Sequence, residues 1–85
     1  MYKELAIDKE IEVVKIIREL QKYVFTSINS MMECVEENTK EYSKFLGYMM
    51  GNNYDEIVIM WENMTANVLF KREDEHTYRI IFAYL

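Results

Sequence analysis

The sequence has no proline, two glycines, one cysteine and one histidine among its 85 residues. A single cysteine excludes an intrachain disulfide. One cysteine and one histidine are also too few for a zinc site, which leaves only a site built from carboxylate oxygens, and no calcium-loop spacing is present. We therefore predict that the protein binds no metal and no other cofactor.

Signatures of catalysis and of membrane insertion are also missing. The chain has no phosphate-binding glycine loop, no CxxC, HExxH or GxSxG motif, and no second histidine to orient a nucleophile. No apolar run approaches the roughly 18 residues that a membrane span requires, and residues 1–4 (MYKE) are a charged mix, unlike a signal peptide. We expect a cytoplasmic protein that is not an enzyme and has no membrane partner.

The composition favours one small folded domain with an acidic surface. Apolar residues make up 51% of the chain, which is too many for a disordered segment. Fifteen Asp and Glu against ten Lys and Arg give a net charge of −5. This charge argues against direct nucleic-acid binding, since phosphate contacts need a cationic surface. We predict a single domain over residues 1–85 whose partner is another protein.

Residues 3–50 have the pattern of helices. Apolar side chains recur there every three or four positions, which predicts one apolar stripe along a helix face. The stripe consists of Val13, Ile17, Leu20, Val24, Ile28, Met31 and Val35. Residues 51–53 (GNN) tolerate left-handed dihedral angles, so we expect the helical half to end there.

The position of a break within the helical half is open. The apolar stripe stops at residues 36–40, where Asn38 and Glu41 have the spacing of a capping box, and we place the break there. A second candidate is residues 25–27, where Ser27 is a suitable cap. One long bent helix is the remaining possibility.

From residue 56 the apolar period changes to two, which predicts strands at residues 56–62, 67–72 and 77–84. The turns between them, at residues 63–65 and 73–75, are short, and short turns indicate an antiparallel meander. The expected fold is α+β, with an N-terminal helical half of one or two helices followed by a three-stranded antiparallel β-meander.

The strand pattern predicts a homo-oligomer, either a dimer or a larger assembly. The first and third predicted strands are apolar on both faces, whereas a sheet with one solvated face alternates apolar and polar residues. A single helical layer covers one face only. An unbroken helix over residues 3–36 would also be about 50 Å long, against a radius of gyration of ~12 Å for a compact domain of this size. The helix therefore bends back or is steadied by a partner.

Two acidic groups are the predicted partner-binding residues. The first follows helical spacing and consists of Glu33, Glu36, Glu37 and Glu41, and the second is the predicted turn of Glu73, Asp74 and Glu75. Such carboxylates imitate the phosphates of a nucleic acid and attract a basic groove over a long range. The alternative interpretation of the first group is an ordinary solvated helix face.

A small cationic group supports a second hypothesis. Lys71, Arg72 and Arg79 lie on neighbouring predicted strands. In a homo-oligomer that sequesters a nucleotide-like ligand between subunits, Arg72 or Arg79 would hold the phosphate and a tyrosine such as Tyr78 would stack on the base. The same cations would otherwise pair with the acidic turn. A third hypothesis is an antitoxin or regulatory partner.

Two further side chains have both a structural and a chemical interpretation. His76 adjoins the acidic turn, so it is either a solvated turn residue or a pH-sensitive group. Cys34 has apolar neighbours, which favours a small buried hydrophobe over a reactive thiol. We therefore predict no catalytic residue in this chain.

In size, acidity, lack of proline and a residue usage typical of an AT-rich genome, the chain resembles phage-encoded or mobile-element inhibitors of bacterial defence, such as anti-CRISPR proteins. The resemblance is one of general character over the whole chain and transfers no functional residue. It implies a protein of the bacterial cytoplasm that inhibits a defence or nucleic-acid-processing complex by blocking a basic surface.

Overall fold

The computed structural model describes residues 7–52 and 55–85, in which two helices precede a four-stranded antiparallel sheet. The elements are α1 (Ile7–Glu19), a short 3-10 helix (Leu20–Lys22), α2 (Ile28–Thr39), β1 (Phe45–Met50), β2 (Glu56–Trp61), β3 (Thr65–Asp74) and β4 (Thr77–Tyr84). Each strand pairs with the next one along the chain, in the order β1-β2-β3-β4. The predicted α+β class is confirmed, but the sheet has four strands instead of three.

The chain turns back between α1 and α2, at the second of the two candidate breaks. Ser27 caps α2, because its Oγ accepts a hydrogen bond from the Ser30 backbone nitrogen at 3.0 Å. The Ser30 Oγ in turn accepts from the Ser27 nitrogen at 3.2 Å, which completes a capping box. The apolar stripe concealed this break because it continues through Leu20 and Val24, although neither belongs to an α-helix and Val24 is exposed.

The break expected at residues 36–40 is wrong. Asn38 lies inside α2, where its side-chain amide donates to the Cys34 carbonyl oxygen at 2.7 Å instead of capping a new helix. The helix ends at Thr39, and no helix follows it in the described part of the chain. The interruption of the apolar stripe thus marks the end of α2.

Residues 45–50, predicted to be helical, form the edge strand β1. The register with β2 shifts between Phe45 and Gly47, which leaves Leu46 as the additional residue of a β-bulge. A bulge interrupts the two-residue period, so the apolar positions of this strand have a spacing close to that of a helix. The helical prediction failed for that reason.

We expected a helix to end in a left-handed conformation at residues 51–53. This prediction is wrong at Gly51 and Asn52, the two of these residues that the structure describes. Gly51 follows a strand, and neither it nor Gly47 has a positive φ. A Cβ atom on Gly51 would lie 3.0 Å from the Glu56 Cγ, so the lack of a side chain there permits a close approach between β1 and β2. Asn53, and residues 3–6 of the predicted helical half, lie outside the described residues.

The helices pack on one face of the sheet, which we call the inner face, and form the hydrophobic core with it. The core residues of α1 and α2 are Val13, Val14, Ile17, Met31, Met32 and Val35, Leu20 of the 3-10 helix joins them, and the strands contribute Ile57, Ile59, Trp61, Ala66, Val68, Phe70, Ile80 and Ala83. On each strand, most of the residues between these core positions point to the opposite side of the sheet, which we call the outer face. Val58, Met60, Leu69, Phe82 and Tyr84 on that outer face all retain solvent exposure. The sheet therefore has an apolar face that the described residues leave accessible.

Within residues 7–52 and 55–85, no helix is both long enough and apolar enough to cross a bilayer. The radius of gyration is 12.4 Å, which is the size expected for a compact chain of 85 residues.

Candidate partner-binding surface

Two hydrogen bonds between side chains hold α2 against the sheet. At its C-terminal end, the buried Trp61 Nε1 donates to Thr39 Oγ1 at 3.0 Å. At its N-terminal end, the Tyr48 hydroxyl donates to Asn29 Oδ1. Since Trp61 pairs with Phe45 at the start of β1, the C-terminal end of α2 lies over the start of that strand. These contacts leave the opposite face of α2 in solvent.

Four exposed carboxylates lie along the outward face of α2 and in the turn after it, and we call them the acidic ridge: Glu33, Glu36, Glu37 and Glu41. The first three belong to α2 and the fourth to the turn after it. Lys40, the C-cap residue, keeps helical dihedrals (φ −60°, ψ −25°), so the chain continues along the helical path toward the turn. Glu33, Glu37 and Glu41 thus follow one another at four-residue steps, over a rise of about 12 Å.

One cation lies within the acidic ridge. Lys40 Nζ is 2.7 Å from Glu37 Oε1, and both side chains are exposed. The hydrogen bond to Glu37, and then the attraction of its charge, raise the pKa of Lys40 above its usual range. An ion pair in open solvent contributes little to folding and is readily exchanged for another partner. Counting Lys40, the acidic ridge keeps three net negative charges.

The position of the acidic ridge opposes helix stability. Glu36 and Glu37 lie near the C-terminal end of α2, where the helix macrodipole is negative, and the last turn of α2 has no basic residue. Glu33 and Glu37 are also like charges at positions i and i+4, which repel each other. Each unfavourable placement costs about 0.3–1 kcal/mol at the helix end. The acidic ridge therefore lowers the stability of the helix slightly, and the Glu37–Lys40 ion pair offsets part of this cost.

The second predicted acidic group lies in the β3–β4 hairpin, beyond the opposite end of α2. Backbone hydrogen bonds between Phe25 and Tyr78, both of 2.8 Å, join the start of β4 to the chain just before α2. The acidic ridge is at the other end of that helix, beside Trp61. The structure thus separates the two acidic groups that we predicted as one partner-binding site.

Most of the hairpin carboxylates are engaged within the chain. Glu73 Oε1 accepts from Arg79 Nε at 2.7 Å. Asp74 Oδ1 accepts from the His76 backbone nitrogen at 2.9 Å, and this hydrogen bond holds the pKa of Asp74 below its usual range. Glu75 is exposed and makes no ion pair with the described residues. His76 itself is an exposed turn residue.

The cationic residues of the same hairpin do not converge on one point. Lys71 pairs with Arg79 across the two strands, while Arg72 pairs with Tyr78, so Arg72 and Arg79 lie on opposite faces of the hairpin. The Arg72 guanidinium is 5.9 Å from the centre of the Tyr78 ring. Arg79 forms the ion pair with Glu73 described above. The sequence left open whether these cations pair with the acidic turn. The ion pair between Arg79 and Glu73 shows that one of them does.

Cys34 is half-buried on α2, in contact with the core. Burial raises the pKa of its thiol, an effect that the hydrogen bond from Asn38 partly opposes. A raised pKa lowers the thiolate fraction and so lowers reactivity. In the part of the chain that the structure describes, no three His, Cys, Asp or Glu side chains lie close enough together to hold a metal ion.

A shallow groove of about 280 Å³ runs between α1 and the end of β4, where sequence reasoning placed no site. Its lining consists of Ile11, Val14, Lys15, Arg18, Tyr84 and Leu85. Arg18 Nε donates to the Ala83 carbonyl oxygen at 2.9 Å, and its guanidinium lies 4.2 Å from the centre of the Phe82 ring. These contacts tie α1 to the edge of the sheet.

Comparison with known proteins gave no match: no family model, curated protein or solved structure is significantly similar to this chain. The geometry of the chain itself is therefore the basis for assigning a function. Among the sequence-predicted residues, the four carboxylates of the acidic ridge are the largest group that the fold keeps together and exposed.

Proposed function

We propose that the protein is a small binding protein that occupies a basic, nucleic-acid-binding surface of another protein and thereby inhibits a bacterial defence or nucleic-acid-processing complex. The acidic ridge is the contact surface. The observation that supports this function is the placement of its carboxylates at the C-terminal end of α2, where they oppose the helix dipole. A helix optimised for stability alone would have cations in its last turn, where α2 has none, and the C-cap residue Lys40 offsets only part of the negative charge.

The spacing of the acidic ridge favours a surface that binds a single strand. Glu33, Glu37 and Glu41 distribute three charges over a rise of about 12 Å, at 1.5 Å per residue. One strand of a nucleic acid has one phosphate per roughly 3.4 Å of axis, and a duplex has twice that density. The row has one charge per about 6 Å, which is roughly half the linear charge density of one strand and about a quarter of that of a duplex.

Binding would proceed by electrostatic attraction followed by exchange of ion pairs. The net charge of −5 steers the protein toward a cationic groove. On contact, Glu37 exchanges Lys40 for an arginine of the partner, whose planar guanidinium binds a carboxylate with two parallel hydrogen bonds. The bound protein then blocks the nucleic-acid groove of its partner.

The experiment uses a fluorescent deca-arginine peptide as the probe of a basic surface, with binding followed by anisotropy over a series of salt concentrations. We expect affinity to fall steeply as salt rises, because exposed charges are screened. Equal affinity at low and high salt would contradict a carboxylate contact surface.

The variant Lys40→Gln tests the role of the internal ion pair. The substitution releases Glu37 and removes a positive charge that repels the cationic probe. We therefore expect about two- to fivefold tighter binding, which corresponds to the free energy of one exposed ion pair. Lys71→Gln is the matched control, because Lys71 is also exposed and the change in net charge is the same. If both variants bind equally, only net charge matters and the acidic ridge is not the contact surface.

A further inference from the structure

The two edges of the sheet, β1 and β4, differ in how well their backbone groups are covered, and this difference points to a second surface that goes beyond the proposed function. We propose that β1 pairs antiparallel with β1 of a second copy of this chain about a two-fold axis, which joins two four-stranded sheets into one eight-stranded sheet.

The register of β1 identifies the backbone groups that remain available. The Gly51 nitrogen donates to the Glu56 carbonyl oxygen at 2.7 Å, so these two residues form a hydrogen-bonded pair. Hydrogen-bonded and non-hydrogen-bonded pairs alternate along antiparallel strands. Tyr48 and Met50, which pair with Ile59 and Ile57, are therefore non-hydrogen-bonded positions. Their N–H and C=O groups point away from β2, in the direction that a further strand would occupy.

The opposite edge, β4, is closed by other parts of the same chain. Phe25 forms two backbone hydrogen bonds with Tyr78. Gln21 Nε2 donates to the Ile81 carbonyl oxygen, and Arg18 Nε donates to that of Ala83. Folded proteins protect sheet edges in this way, or with charges and prolines, because an open edge pairs with other strands.

Within residues 7–52 and 55–85, no other segment covers the outer edge of β1, and its only protecting feature is the bulge at Leu46. Its sequence, FLGYMM, contains no charge and no proline. Leu46, Met49 and Met50 are 60%, 55% and 44% exposed, respectively. An exposed, uncharged and apolar edge strand is the type that associates with another strand.

A second copy of β1 is a compatible partner strand because the strand is uncharged and its apolar side chains match those of an identical strand. Antiparallel self-pairing brings no charges into opposition within β1, and it places Lys44, at one end of the strand, near Asp55 of the β1–β2 turn of the other copy. Glu62 also lies at the Lys44 end, so the electrostatic gain is small. Hydrogen bonds and apolar contact provide most of the attraction.

The acidic ridges of two copies also stay apart in this arrangement. The Tyr48 hydroxyl bonds to Asn29, which places the N-terminal turn of α2 over the middle of β1. A two-fold axis through the middle of β1 therefore brings the two helix N-termini together and directs the C-terminal carboxylates away from each other. A six-residue pairing is small compared with about 800 Å² per partner in a standard interface, so we expect a dimer that dissociates on dilution.

The test is sedimentation equilibrium of the full chain over a wide range of concentration. We expect the mass to rise from 10.3 kDa toward twice that value. Met50→Lys should remain monomeric, because a charged lysine on an edge strand opposes pairing with another strand. Ile81→Lys, which replaces an apolar residue of similar exposure (48%) on the closed edge, should dimerise like the wild type. A third variant, Met60→Lys, changes the outer face and should also dimerise.

Several results would overturn the proposal. These are a wild type that stays at 10.3 kDa at every concentration, a Met50→Lys variant that still dimerises, or a loss of the dimer in the Ile81→Lys or Met60→Lys variant. Amide hydrogen exchange of the wild type provides a second readout that needs no variant. The amides of Tyr48 and Met50 should exchange more slowly at high than at low protein concentration, whereas that of Met49, which is bonded to β2, should not change. Equal exchange at both concentrations would contradict strand pairing.

Discussion

Replacing Trp61 by alanine is expected to lower the free energy of unfolding by about 3–5 kcal/mol, the range for removing a large aromatic side chain from a core. Trp61 is 3% exposed and lies edge-on to Phe45, with their ring centres 6.1 Å apart. Its Nε1 also donates to the buried Thr39, so the substitution removes packing and releases the C-terminal end of α2. Urea unfolding followed by far-UV circular dichroism measures the effect.

The hydrogen bond is separated from the packing by Thr39→Val. This variant keeps the volume of the side chain but leaves the buried Trp61 Nε1 without its acceptor. We expect a loss of about 1–3 kcal/mol, the cost of an unsatisfied buried donor. If Thr39→Val and wild type have equal stability, this hydrogen bond does not anchor α2 and the position of the acidic ridge depends on packing alone.

The double variant Glu36→Lys/Glu41→Lys is expected to separate binding from stability. Neither residue forms an ion pair with the described residues, and both lie near the C-terminal end of α2. Two lysines there favour the helix dipole, so the variant should be as stable as the wild type or up to about 1 kcal/mol more stable. Its affinity for deca-arginine should fall about tenfold, because two attractive pairs become repulsive.

The matched control is Glu19→Lys/Glu75→Lys. Both positions are exposed carboxylates outside the acidic ridge, and the change in net charge is identical. We expect less than about a threefold loss of affinity, since long-range attraction weakens but no contact is lost. An equal loss in both double variants would show that the probe responds to total charge and not to the acidic ridge.

The sequence predicted most of the sheet because β2, β3 and β4 alternate in period two between short turns. It did not predict β1, where the bulge at Leu46 disrupts the alternation and three of the six residues, Leu46, Met49 and Met50, are good helix formers. The helix break was misplaced because the apolar stripe continues past α1 through Leu20 and Val24, although neither belongs to an α-helix. The burial of Phe25, the next residue, depends on the fold of the whole chain, because Phe25 pairs with Tyr78, more than fifty residues later.

The acidic ridge was predictable because Glu33, Glu37 and Glu41 follow one another at four-residue steps and Glu36 lies three residues after Glu33, spacings that share a surface along a helical path. Its separation from the hairpin carboxylates was not predictable, since it depends on which end of α2 each group adjoins. The engagement of Glu73 by Arg79 is likewise a contact between strands. The open edge of β1 is visible only once the strand itself is known.

The most direct measurement of the central claim is a heteronuclear NMR titration of the labelled protein with deca-arginine. If α2 presents the contact surface, the largest amide shifts will fall within residues 33–41 and will disappear when salt is raised. Shifts centred on the β3–β4 hairpin, or spread evenly over all acidic positions, would contradict the assignment of binding to the acidic ridge.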